Sequence, residues 1–212
     1  MAAAFLYYAV ASFNLVWMRF PDTGAVPIWL PAGLMLFGLV VSRRAIWPGI
    51  LVGGYLSFLT LPEYAQFSFW QMHFAAAFLS LSSLVGICIA ASLIKHYISI
   101  PIREQFTYAG FRFVYLAFLG CAVSGVLSLP IFLFDDSIVS FSTILNSTWL
   151  RWSLSMFCGM LMVAPLLYVF ILSYRNSIFR LRDCQEIVEI VITFTVLAML
   201  NHAIFIENYA VK

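Results

Sequence analysis

The stretch VPIWLPAGLMLFGLVVSRRAIWPGILVGGYLSFLT, Val26 to Thr60, decides the fold. Two short apolar runs are joined by Arg43-Arg44, and Pro and Trp flank the joint, so it reads as a transmembrane helical hairpin with a basic turn. A membrane span needs about 20 mostly apolar residues at roughly 1.5 Å rise each. Both runs fall a little short of that, so Trp29, Arg43, Arg44 and Trp47 are expected to anchor them at the interfaces.

The rest of the chain has the same character. It is 64% hydrophobic and 9% charged, with a positive mean hydropathy, whereas a soluble domain carries about 25% charged side chains. The bilayer is its solvent. Backbone polar groups in hydrocarbon must be bonded internally, which leaves helices or a closed barrel, and long continuous apolar runs exclude the alternation of a barrel. The fold class is therefore all-α, a polytopic transmembrane helical bundle. A formal net charge of +2 without any basic run argues against nucleic acid as a partner. Cys88, Cys121, Cys158 and Cys184 lie far apart with no Cys/His ligand spacing, so they read as small packing residues, and neither a metal nor a cofactor is expected.

Uncharged apolar runs place spans near Ala2–Met18, Pro27–Ser42, Ala45–Leu61, Trp70–Ile94, Phe113–Phe134, Trp152–Ser173 and Ile187–Phe205, about seven in all. The first lacks the basic leader of a signal peptide and counts as a span. One set of connections holds Arg43, Arg44, Lys95, Arg103, Arg112, Arg175, Arg180 and Arg182, the other only Arg19, Arg151 and Lys212. By the positive-inside rule the N-terminus is cytoplasmic. An odd number of spans then leaves Lys212 outside, and no polar stretch is long enough for soluble chemistry.

Small residues four apart let helix backbones approach each other in lipid. Gly49, Gly53 and Ser57 show this spacing, as do Ser82, Gly86 and Ala90, then Gly120, Ser124 and Ser128, and finally Ser155 and Gly159. Helix packing is the expected reading, with Gly49-x-x-x-Gly53 also a candidate surface for a homodimer or a partner. Asn14, His73, Glu189, Asn201 and His202 are polar groups at membrane depth, candidates for a substrate or proton path or for simple contact with the wet interface. No nucleophile elbow, HExxH, phosphate-binding loop or dinucleotide fingerprint is present, and Asp135-Asp136 is a loop dipeptide.

The segment Trp29-Leu30-Pro31-Ala32-Gly33-Leu34, followed by Arg43-Arg44, Trp47-Pro48-Gly49-Ile50 and Gly53, resembles the first family of bacterial integral membrane-associated sensor domains. Members precede diguanylate cyclases and histidine kinases. Trp149, Trp152, Gly159, Leu161 and Pro165 resemble a second segment of the family, with Met156 standing where the family usually has an acidic residue. The resemblance implies a noncatalytic signal-input domain in the bacterial inner membrane, relaying a stimulus to an output domain in cis or to a partner protein, with any catalysis in that output domain. It also implies eight spans, so residues 1–212 are expected to form one domain that lacks its last span. Trp29, Pro31, Gly33, Trp47, Pro48, Gly49, Gly53, Trp152, Gly159 and Pro165 are the candidate structural or ligand-sensing residues; His73, Glu189 and His202 are the candidate intramembrane polar ones. No sequence feature identifies the ligand. The alternative is a small transporter or membrane-embedded enzyme, which the intramembrane His and Glu residues would serve.

Overall fold

The computed structural model describes residues 2–19, 26–42, 45–61, 68–98, 106–132 and 149–175. These residues form six helices and no strand. They are α1 (Ala2–Trp17), α2 (Leu30–Val41), α3 (Trp47–Leu59), α4 (Phe69–Tyr97), α5 (Phe106–Phe132) and α6 (Leu150–Arg175). The expected seventh span at 187–205 lies outside the described residues, as do Arg43, Arg44, Asp135 and Asp136.

Among the described residues, three segments are long and apolar enough to cross a membrane: all of α4, Tyr108–Ile131 of α5 and Leu150–Ile171 of α6. The other three helices are apolar but shorter. At 12 residues, α2 is about 18 Å long, well under the roughly 30 Å of a hydrocarbon core. The expected span Pro27–Ser42 is shorter because residues 26–29 do not join the helix. Pro31 sits in the first turn of α2, where a missing N–H is tolerated, and the chain before it stays non-helical.

The other boundaries follow local chemistry. Ser68 caps α4 in a reciprocal box: its hydroxyl accepts from the Gln71 N–H at 3.4 Å, and the Gln71 side chain accepts from the Ser68 N–H at 3.0 Å. Lys95 and His96 lie in the last turn of α4, where positive charge complements the helix dipole. Helix α5 begins earlier than the apolar run suggests, so Arg112 lies in its second turn rather than in a loop. From there its guanidinium donates to the Tyr97 carbonyl at 3.4 Å and ties the α4–α5 connection.

Each helix packs on two main neighbours, closing a ring in the order α1, α3, α4, α5, α6, α2, while α2 also reaches across to α4. This order shows where the two arms of the Val26–Thr60 stretch make their main contacts. Helices α2 and α3 are consecutive, but α3 lies against α1 and α4, and α2 against α6 and α4. Small residues explain the choice. A Cβ on Gly53 would stand 2.7 Å from both the Ala4 carbonyl oxygen and Tyr7 Cβ, so the Gly49/Gly53 face is already filled by α1 of the same chain and is not the open surface a dimer would need. Gly86 and Gly120 pair reciprocally between α4 and α5, each lying against the other's carbonyl oxygen. Leu36, Ala76, Leu79, Ile87, Ala90, Cys121 and Met160 form the fully buried centre.

Candidate functional site

The non-helical residues 26–29 pass directly over α6. The Trp29 N–H donates to the Ser155 carbonyl at 2.9 Å, and the Ser155 hydroxyl donates to the Val26 carbonyl at 2.6 Å. One turn further along α6, Gly159 meets the Trp29 carbonyl, where an added Cβ would lie 2.0 Å from the oxygen. Gly33 repeats the contact from the other side, since its Cβ would lie 2.0 Å from the Gly159 oxygen. Backbone meets backbone along this seam, and no other residue type fits at either glycine without moving α2 off α6.

Helix α1 closes the site from the opposite side. The Asn14 Oδ1 accepts from the Leu30 N–H at 2.7 Å, capping α2 from another helix, since the Trp29 side chain does not cap it. Two turns earlier on the same face, the Tyr7 hydroxyl accepts from the Trp29 indole N–H at 3.2 Å. Tyr7 and Asn14 are both essentially inaccessible, at 1% and 0% exposure. The Asn14 Nδ2 has no hydrogen-bond partner among the described residues, although buried amides normally pair.

An aromatic row runs from this anchor to α5. Trp29 stacks on Phe58 with centroids 6.0 Å apart and planes 10° apart, and Phe58 stacks on Trp152 at 5.7 Å. The Trp152 indole donates to the Ser124 hydroxyl at 3.3 Å, which itself donates to the Met156 sulfur at 3.3 Å. Met156 is buried against that hydroxyl. Neutral donors, carbonyls and aromatic faces make up the site; among the described residues no three His, Cys, Asp or Glu converge. Such an arrangement fixes how the helices sit against one another, because each bond spans two elements.

The expected site residues divide accordingly. Trp29, Pro31, Gly33, Trp152 and Gly159 come together here. Trp47 and Pro48 are exposed at the start of α3 and take no part. Gly49 and Gly53 serve the α1–α3 contact, and Pro165 lies further along α6. His73 belongs to a separate cluster, where its Nδ1 pairs with the Tyr55 hydroxyl at 2.5 Å and Phe69 meets it edge-on. Glu189, Asn201 and His202 lie outside the described residues. Tyr7 and Phe58 are absent from the expected set. The seven-residue spacing of Tyr7 and Asn14, which puts two polar groups on one face of an apolar helix, was the signal for the first; Phe58 is one of 21 phenylalanines and carries no mark.

No curated protein and no solved structure matches the chain. The family model MASE1 matches residues 1–207, taking in both halves of the seam, the Trp-Leu-Pro-Ala-Gly element and the Trp/Gly helix that holds it. On that match the chain belongs to the MASE1 family, the membrane-associated sensor domains found in bacterial signalling proteins.

Proposed function

We propose that this chain is a noncatalytic signal-input domain, multi-pass in the bacterial inner membrane with its N-terminus in the cytoplasm, that relays a stimulus to an output domain such as a diguanylate cyclase or histidine kinase. Family membership supports the sensor role. The excess of Lys and Arg on one set of connections, eight against three, supports the orientation. The observation that carries the relay is the seam itself: the non-helical residues 26–29 are clipped to α6 and capped by α1, so a stimulus that displaces any one of the three must shift the others. A stimulus achieves this only by binding two packings with different affinity, and moving a switch from mostly off to mostly on takes about 5.5 kcal/mol of difference.

The test uses the full-length gene product in its host membrane. His73, Glu189 and His202 are replaced by Leu, singly and together, and both output activity and solute uptake are measured. A sensor that works through packing retains its output response in these variants. Loss of a solute flux in them, with output unaffected by any seam substitution, would establish the transporter reading instead.

A further inference from the structure

At the end of the aromatic row, the seam between α5 and α6 holds three sulfur side chains. Cys121 of α5 is fully buried, and its thiol donates to the Met160 sulfur at 3.5 Å. One turn along α5, the Ser124 hydroxyl donates to the sulfur of Met156. Met156 and Met160 lie four residues apart on α6, so they share one face, and their exposures are 2% and 0%. Both methionine sulfurs are therefore turned toward α5 rather than merely filling space between the helices. We propose that Cys121, Met156 and Met160 form a binding site for Cu(I) in this seam.

Three features of the chemistry select that ion. A thiol and two thioethers are soft donors, a set that suits Cu(I) and not hard ions. Charge agrees as well. When Cu(I) binds, Cys121 gives up its thiol proton, the Cu–S bond takes its place, and the proton leaves to water with no electron transferred. One monovalent cation replaces another between the same two sulfurs, so the buried seam keeps its net charge, whereas a divalent ion would leave it positive in hydrocarbon. The second thioether is close at hand, because Met156 lies one turn from Met160 on the same face of α6, its sulfur accepting from the Ser124 hydroxyl, which in turn accepts from the Trp152 indole. Sequence spacing could not show this set, which draws one ligand from α5 and two from α6.

The experiment titrates the purified 212-residue chain in detergent, without oxygen, with Cu(I) delivered from a colorimetric chelator of known affinity. Ag(I) serves as a redox-inert second probe. The variants are Cys121→Ser, Met160→Leu and Met156→Leu, with Cys88→Ser on α4 as the control. Expected are one equivalent of metal bound by the parent chain and by Cys88→Ser, and at least tenfold weaker binding by Cys121→Ser and Met160→Leu. If Cys121→Ser does not fold, Met160→Leu, which keeps the side-chain volume, decides the question alone. Absence of stoichiometric binding by the parent chain, or equal binding by Met160→Leu, would overturn the proposal. Binding is read without any output signal, so neither result bears on the relay.

Discussion

Replacing Gly159 with Ala adds one methyl group at one of the two tightest glycine contacts among the described residues. Its Cβ would stand 2.0 Å from the Trp29 carbonyl oxygen and 2.6 Å from the carbonyl carbon. Both are backbone atoms that cannot rotate away. Restoring ordinary contact at 3.4 Å requires the Trp29 peptide to retreat by about 1.4 Å, which breaks the Trp29 N–H to Ser155 bond and the Ser155 hydroxyl to Val26 bond. Interhelical hydrogen bonds in membranes average about 0.6 kcal/mol each, so the pair accounts for about 1 kcal/mol, and overpacking adds about 1–3 kcal/mol. The expected destabilisation is about 2–4 kcal/mol. Unfolding by a denaturing detergent, followed by tryptophan fluorescence, measures it. Gly110→Ala is the reference, because an added Cβ there meets nothing within 4 Å and the helix gains up to about 1 kcal/mol in propensity. If Gly159→Ala unfolds within about 0.5 kcal/mol of Gly110→Ala, a margin usual for unconstrained surface changes, the backbone contact is not there and the reasoning fails.

Other consequences are equally direct. Gly33→Ala disrupts the same contact from the α2 side, so its effect combined with Gly159→Ala is expected to fall short of additivity by at least about 0.5 kcal/mol in a double-mutant cycle. Asn14→Leu leaves the Leu30 N–H without its acceptor, at a cost of about 1–3 kcal/mol, and hydrogen exchange should show faster exchange of the Leu30 amide. Trp29→Phe keeps the stack on Phe58 but loses the bond to Tyr7; a loss of about 0.5–1.5 kcal/mol that vanishes in a Tyr7→Phe background, read by the same unfolding assay, would identify that bond as the cause. Gly53→Leu is expected to displace α1 and to lower the stability of the chain itself, measured at protein concentrations too low for association, because Gly53 faces Ala4 and Tyr7 within the protein.

Much of the seam was legible because its marks are local. A Pro in the first turn of a helix, a glycine two residues on and a Trp just ahead are read from Trp29 to Gly33 without a partner in view. Small residues at four-residue spacing likewise marked the faces of α3, α4 and α5 that pack. The partners of those faces were not legible. The Val26–Thr60 stretch does not show what its glycine faces meet: Gly33 finds Gly159 far along the chain and Gly53 finds α1, because in lipid the closest-fitting surfaces associate whatever their order in sequence. His73 illustrates the same limit: read alone it could be a ligand or a wet surface group, and only the fold brings the Tyr55 hydroxyl to it. Phe58 joins two tryptophans through ring geometry alone, which no spacing encodes.

The central claim is that the clip of residues 26–29 onto α6 sets the signalling state. The most direct measurement is the output activity of the full-length gene product in membranes, compared between the parent, Gly159→Ala and Gly110→Ala at equal expression. If the clip distinguishes two states, a change of about 2–4 kcal/mol shifts their ratio roughly 30-fold to 800-fold. Gly159→Ala should therefore shift the basal output and blunt its response, while Gly110→Ala behaves as the parent. A Gly159→Ala protein that folds, inserts and responds like the parent would contradict the account.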